Sequence, residues 1–563
     1  MRVQPDTHHD QEQAVNASKC EEAFLWFVNL WRQSQIGHRS EYSVERLLAF
    51  RDYYKRTSIT RVVAICILTP IPAITVTLLI DCTPLKSPSE GWQANYAFWF
   101  RWFLALVAVS FGVALQVREA ILPGVISNTG AAVITLGTSI VDVSVAFVLA
   151  VLWQFPIPFG YILMVGPYLL IVLSFTLLVI GRQRLNESPI LRQQIKAQAT
   201  VIFAQGSVAM AYPIFTAIFY RLSGPQQTVF IIVIPLFKHI TKIIIANAAG
   251  GLHEYVGPIV VFSVDVFNVF YVAICMQISK TMLTTLLIIA SDGFHVLVAL
   301  RGIFRQANVI TPGTSCSINY VEDLPVMLRK VFKTPKTLAH GCRIRVSAPF
   351  PLPLADESRA FLENISRNQQ KIPALNASQV RTTGPSRLLT LMQPDTLPSA
   401  KATMKSVTTK EAACDALQAL FHSEYLLMTE YIECILPLLY AIYLPILFEL
   451  PAAPYYPQTA SSTPEKLRND VINILMFGAV EMTGFVGLLF ILKRKFGISP
   501  LYQLAFVLET QMCTVQGHLF VWTVFILHMP LMHYGKQNCS FHLNSTNNVC
   551  VHLGVNYAVQ FNY

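Results

Sequence analysis

Apolar runs of about twenty residues recur along this chain, divided by short polar stretches. A helix rises about 1.5 Å per residue, so each run can cross a hydrocarbon core roughly 30 Å thick. Eleven runs fit: 62–80, 96–116, 131–153, 158–180, 199–220, 227–248, 257–278, 281–300, 425–449, 471–492 and 501–528. The pattern predicts an all-α, polytopic transmembrane helical bundle. Only a few residues around Pro156 and Pro158 join the third and fourth runs, which predicts a tight antiparallel hairpin.

The polar stretches divide the chain further. Residues 1–58 read as a cytoplasmic N-terminal segment. Within it SVERLLAFRDYYKR, Ser43 to Arg56, is basic and amphipathic, which predicts a juxtamembrane helix, with the headgroup layer as an alternative resting place. Residues 59–300 form an eight-span membrane domain and 425–529 a three-span one. Between them, 301–424 is rich in Pro and Ser, net basic and without a sustained apolar period; it reads as a long, mostly disordered cytoplasmic linker able to dock protein partners. Residues 530–563 form an extracytoplasmic tail.

Composition agrees. The 563 residues are 53% hydrophobic and 13% charged, against about 25% charged in ordinary soluble chains. Mean hydropathy is +0.48. The net charge of +10 does not make a nucleic-acid binder, because no basic patch is interleaved with stacking aromatics. The bases instead collect on one side of the predicted spans: Arg51, Lys55, Arg56 and Arg61; Arg118; Arg182, Arg184, Arg192 and Lys196; Arg301 and Arg305; and Lys493, Arg494 and Lys495. That bias puts the N-terminus in the cytoplasm and, with an odd number of spans, the C-terminal tail outside. The host is a plasma membrane or endomembrane, and the first partner is the lipid bilayer.

The tail carries glycosylation sequons at Asn538 and Asn544, and Cys539 and Cys550 could pair there in an oxidising compartment. Sequons at Asn16, Asn186, Asn364 and Asn376 fall on the cytoplasmic side of this topology, so the motif alone orients nothing. No Cys or His spacing resembles a zinc site, and no G-x-S-x-G, H-E-x-x-H or P-loop occurs; no metal, cofactor or enzymatic activity is expected.

The informative chemistry is charge inside the apolar runs. Acids occur at Asp142, Asp265, Asp292, Glu433, Glu481 and Glu509, bases at Lys238 and Lys242, and histidines at His239, His295 and His518. A central charge costs about 3 kcal/mol on insertion, so the six acids together cost on the order of 15–20 kcal/mol. The run from Ile259 to Ile274 tolerates Asp265 because its eleven Val, Ile and Phe residues return about 5 kcal/mol. Such acids are sheltered by other helices or by water. Asn268 lies one turn from Asp265, and Lys238 and Lys242, four apart, share a helix face. Thr135, Thr138 and Asp142 form a polar stripe. Val141-Asp142-Val143 and Val264-Asp265-Val266 repeat one tripeptide in the third and seventh runs. Arg101, near a run's end, is expected to snorkel to the headgroups. Two arrangements fit the set: buried ion pairs, such as Lys238 or Lys242 with Asp265 or Asp292, or a hydrated path.

Three stretches carry a resemblance: EYVGPIVVFSVDVFNVFYVAICMQ from Glu254, EYIECILPLLYAIYLPILFELPAAPYYP from Glu430 and SPLYQLAFVLETQMCTVQGHLFVW from Ser499. They resemble a family of uncharacterised polytopic membrane proteins expanded in oomycetes. The resemblance implies a multi-span architecture and no particular chemistry. From the charges, the expected function is a transporter or channel-like protein for an ion or a proton-coupled polar solute. The path would be lined by Asp142, Lys238, Lys242, Asp265, Asn268, Asp292, His295, Glu433, Glu481 and Glu509. The alternative is a receptor or signalling scaffold working through the linker and the N-terminal segment.

Overall fold

The computed structural model describes residues 40–219, 233–278, 320–333, 344–367 and 397–535, apart from position 461, with a few isolated positions between 222 and 304. Side chains at 397–408 fall outside the description. The expected span at 281–300 with Asp292 and His295, and the tail with Asn538, Cys539, Asn544 and Cys550, also lie outside the described residues.

The described chain is helical. In order, α1 is Val44–Arg56, α2 Ile59–Asp81, α3 Tyr96–Ala120, α4 Asn128–Leu152, α5 Gly160–Ile180, α6 Pro189–Phe219, α7 Val233–Ala248 and α8 Leu252–Ile274. Then come α9 Tyr320–Lys333, α10 Leu397–Glu449, α11 Pro464–Phe496, α12 Pro500–Thr510 and α13 Met512–His528. Among the described residues seven helices are long and apolar enough to cross a membrane: α2, α3, α4, α5, α8, α11 and the Thr409–Glu449 part of α10. The run at 501–528, which reads as one span, is divided at Gln511 (φ −114°, ψ 33°) into α12 and α13.

Local signals set the helix ends. Ser43, Ser127 and Thr463 each accept a hydrogen bond from the backbone N–H three residues on, filling one of the donors that a helix start leaves open. Gly497 closes α11 in the left-handed conformation (φ 69°), where a Cβ would clash.

The bundle is built around α8. Its apolar window is 94% buried, whereas the α4 window is only 33% buried; α8 is the protein-enclosed core and α4 an outer helix. Val261–Asp265 forms a single π turn within α8. The extra residue in such a turn rotates the following half of the helix by about 100°. Ser263 donates to the Ile259 carbonyl inside it. α10 and α13 flank α8, with Phe267 packed edge-on to Trp522.

Two close approaches depend on glycine. On α3 and α13, Gly112 and Gly517 face each other so nearly that a Cβ on Gly517 would stand 2.6 Å from the Gly112 carbonyl oxygen. Gly478 of α11 lies against Leu438 and Pro437 of α10, so the proline that interrupts α10 fits into space left by a missing side chain.

Two segments outside the spans are packed against protein, α1 and part of 301–424. The apolar face of α1, with Leu47, Leu48, Phe50 and Tyr53, is buried against protein, including Phe506 of α12. The 301–424 segment, read as mostly disordered, contains α9, a helix over 356–367 and the start of α10. Part of it is bonded to α1: the Val44 and Glu45 amides donate to the Arg345 and Val346 carbonyls at 3.0 Å, the Ala348 amide donates to Glu45 Oε2 at 2.8 Å, and the Ala355 amide donates to Asp52 Oδ2 at 2.8 Å.

Candidate functional site

α10 carries buried charge at three levels. Glu424 marks the first, Glu430 and Glu433 the second, and Tyr443, which reaches Asp81, the third. From 424 to 433 is nine residues and from 433 to 443 ten, so at 1.5 Å per residue the levels are about 14 and 15 Å apart, together about one hydrocarbon thickness.

The middle level joins α7, α8, α10 and α11. Lys238 and Lys242, one turn apart on α7, meet acids from both sides. Lys238 Nζ lies 2.5 Å from Glu433 Oε1 and 3.8 Å from Asp265 Oδ1. Lys242 Nζ lies 2.7 Å from Asp265 Oδ1 and 5.4 Å above the Tyr425 ring, a cation–π contact. Thr429 donates to Asp265 Oδ2 at 3.3 Å. Asp265 is fully buried, and the two lysine side chains are 10% and 12% exposed, so these pairs are shielded from solvent.

Behind Glu433, Glu481 of α11 comes alongside Glu430. Oxygens of Glu430, Glu433 and Glu481 lie within 4.8 Å of one another, and all three residues are buried. Cys434 and Met482, each next to one of these acids, touch through sulfur at 3.4 Å. Three carboxylate oxygens at this spacing form the kind of donor set that a hard divalent cation accepts. The sequence expectation of no metal therefore meets a geometry that would hold one.

Among the described residues this level holds four acids, Asp265, Glu430, Glu433 and Glu481, and two bases, Lys238 and Lys242. With each of these six groups ionised, they sum to −2 in a buried setting. Charges there cost several kcal/mol each unless compensated.

The level toward α1 is a buried latch. Arg46 Nη2 lies 2.7 Å from Glu424 Oε1 and Nη1 lies 3.8 Å from Glu254 Oε2; Arg345 Nη2 reaches Glu254 Oε1 at 2.7 Å. Tyr42 donates to Glu424, and the Ser43 amide donates to Glu254 Oε1 at 2.6 Å. Gln503 of α12 donates to Tyr42 at 3.1 Å. Burial, then the neighbouring Glu424 carboxylate, holds the Tyr42 phenol well above its ordinary pKa, so it remains a hydrogen-bond donor. Burial works against the Arg46 charge, but Glu424, Tyr42 and Glu254 outweigh it and push the guanidinium above its usual value.

The opposite level centres on Asp81. Arg101 pairs with it, Tyr443 and Tyr456 each donate to it at 2.8 Å, and His528 Nε2 lies 3.4 Å away. Arg101 is fully buried and does not snorkel, because Asp81, twenty residues earlier, neutralises it in place.

Of the expected site residues, Lys238, Lys242, Asp265, Glu433 and Glu481 come together. Asn268, one turn beyond Asp265 on α8, is buried, with its Oδ1 unpaired among the described residues. Glu509 stands apart at the α1 end, part-exposed, bound to Arg61 and accepting from Tyr53 at 3.0 Å. Asp142 lies on α4, whose main neighbours are α3 and α5. Sequence reasoning missed Glu430, although its i, i+3 spacing to Glu433 was a signal. It also missed Glu424, Asp81 and His528, whose partners are remote in sequence. No protein-family model, curated protein or solved structure matches this chain.

Proposed function

We propose that this is a membrane transporter for a cation or a proton-coupled polar solute. On this reading the Lys238–Lys242–Asp265–Glu430–Glu433–Glu481 level is its binding site. The observation that carries the reading is the charge imbalance among the described residues, four buried acids with two bases. Two protons or one divalent cation would neutralise the excess, so occupancy of the site and its protonation are thermodynamically linked. The wide turn ending at Asp265 supports it, because such turns recur at functional positions in helices.

The outer levels serve as gates. Arg46 with Glu424 and Glu254 closes the path on one side, and Arg101 with Asp81 closes it on the other. Each gate joins helices remote in sequence, the second through Tyr443 of α10 and His528 of α13 at Asp81, so breaking one lets its helices part while the other holds. The arrangement supports an occluded state, with a central site shut from both faces. On this reading the base-rich side, and with it the Arg46 gate, faces the cytoplasm.

The test is reconstitution in liposomes loaded with a pH-sensitive dye, with a panel of divalent cations and polar solutes added outside under an imposed potassium-diffusion potential. Ligand-dependent pH change is expected for the wild type and is lost in Glu433→Gln combined with Glu481→Gln. A pH change that persists in the double variant removes the central level from the path. The receptor or scaffold reading rests on the hydrogen-bonded platform of α1 and residues 344–358; it predicts protein partners for that face and no flux.

A further inference from the structure

Asp142 sits on the outer helix α4, on the stripe that faces protein. Gly130, Ala131, Ile134, Thr135, Thr138, Ser139, Asp142, Ala146 and Ala150 recur at helical spacing and are buried, while Ile140, Val148 and Leu152 on other faces are exposed. The stripe is small and polar, and it brings α3 and α5 close; Gly137 lies against the Phe175 ring. Asp142 itself is 0% exposed, and neither of its carboxylate oxygens has a hydrogen-bond partner among the described residues. The hydroxyls of Thr138 and Thr135, four and seven residues earlier on the same face, are also buried and unpaired.

Among the described residues of α4 and of its neighbours α3 and α5, no base is paired with it. α3 carries no ionisable side chain between Arg101 and Arg118, and α4 carries none besides Asp142. The titratable side chains of α5 are the Tyr161 and Tyr168 phenols. Ser110 of α3 donates to Tyr168 at 3.4 Å. An ionised carboxylate in such a place lacks both a counter-charge and donors, the costliest state a buried acid can take. A neutral carboxyl is far cheaper, and the adjacent Thr138 hydroxyl can accept its proton in a hydrogen bond.

We propose that Asp142, with the hydroxyls of Thr138 and Thr135, is a proton-binding site separate from the lysine–carboxylate level. It takes a proton from hydronium, leaving water, when α4 opens to solvent, and holds it as a neutral carboxyl when the stripe closes against α3 and α5. The Tyr161 ring packs on Phe525, and Phe525 on Phe267, two residues from Asp265. The proposal stands on the surroundings of Asp142 alone and holds whether or not the central level moves a solute.

A hydrophobic carbodiimide tests it on the full chain in lipid nanodiscs, because that reagent modifies protonated carboxyls at membrane depth. Peptide mapping by mass spectrometry is expected to find Asp142 modified near neutral pH. Labelling should fall by about tenfold per pH unit once the group titrates, and sodium at fixed pH should not change it. Absence of modification at every pH, with the Asp142 peptide recovered, overturns the proposal; so does suppression by sodium, which would make the ligand a metal cation. Asp142→Asn, which mimics the neutral acid, should melt at the wild-type temperature or above it. A lowered melting temperature counts against a neutral Asp142.

Discussion

The tripeptide Val-Asp-Val occurs in α4 and in α8, and both aspartates are fully buried, yet they lead opposite electrostatic lives. Asp265 meets two lysines and a threonine hydroxyl; Asp142 meets no charge and no donor among the described residues. Burial alone therefore does not decide what an acid does at membrane depth. The partner does. Where a base is supplied the acid can stay ionised and become a register point for several helices; where none is supplied it is stable only as a neutral group. The two sites also differ in their scaffolding. Asp265 ends a wide turn in the most enclosed of the described candidate spans, and Asp142 sits in a regular helix with exposed apolar sides.

The contrast can be broken most forcefully from the lysine side. Lys242→Ala removes the nearest partner of Asp265 and should destabilise by about 3–5 kcal/mol, as loss of one member of a buried pair does. Thermal unfolding in nanodiscs would register it, and adding Asp265→Asn to the same chain should recover part of the loss. If the double variant is no better than the single one, the pair is not the source of the stability.

A control for packing comes next. Gly517→Ala places a Cβ against the Gly112 carbonyl and should cost about 1–3 kcal/mol from overpacking between α3 and α13. The same thermal assay measures it, and an unchanged melting temperature would mean the two helices part more easily than their contact suggests.

The smallest effect is expected beside Asp142. Thr138→Val removes the buried hydroxyl that accepts the proton of a neutral Asp142 and should cost about 0.5–1.5 kcal/mol, the net worth of one hydrogen bond. An unchanged melting temperature would mean that the hydroxyl takes no part in holding the proton.

Much of the architecture was legible in the apolar runs, because hydrocarbon thickness fixes the length of each span. The enclosed character of α8 was legible too: its Val, Ile and Phe residues run through both faces. Lys238 and Lys242 stood out because a four-residue spacing puts them on one face, and Asp265 was a natural partner for them. The remaining charges were obscured by distance along the chain. Asp81 and Arg101 sit at the edges of their runs, where charge is cheap, and only the approach of Tyr443, Tyr456 and His528 makes them a buried centre. Glu430 joins Glu433 in sequence, but its third companion, Glu481, comes from another helix. The break at Gln511 follows Glu509 and Thr510, a polar triplet inside a run long enough to read as one span, and hydropathy averaged over that length has no term for a backbone that turns.

The central claim is that the middle charge level binds and passes a cation or proton. Proton flux into dye-loaded liposomes, driven by a potassium-diffusion potential with the solute panel present, tests it most directly. The account predicts ligand-dependent flux in the wild type, and no flux in a Glu433→Gln, Glu481→Gln protein that still melts cooperatively. Equal flux from the two would contradict it.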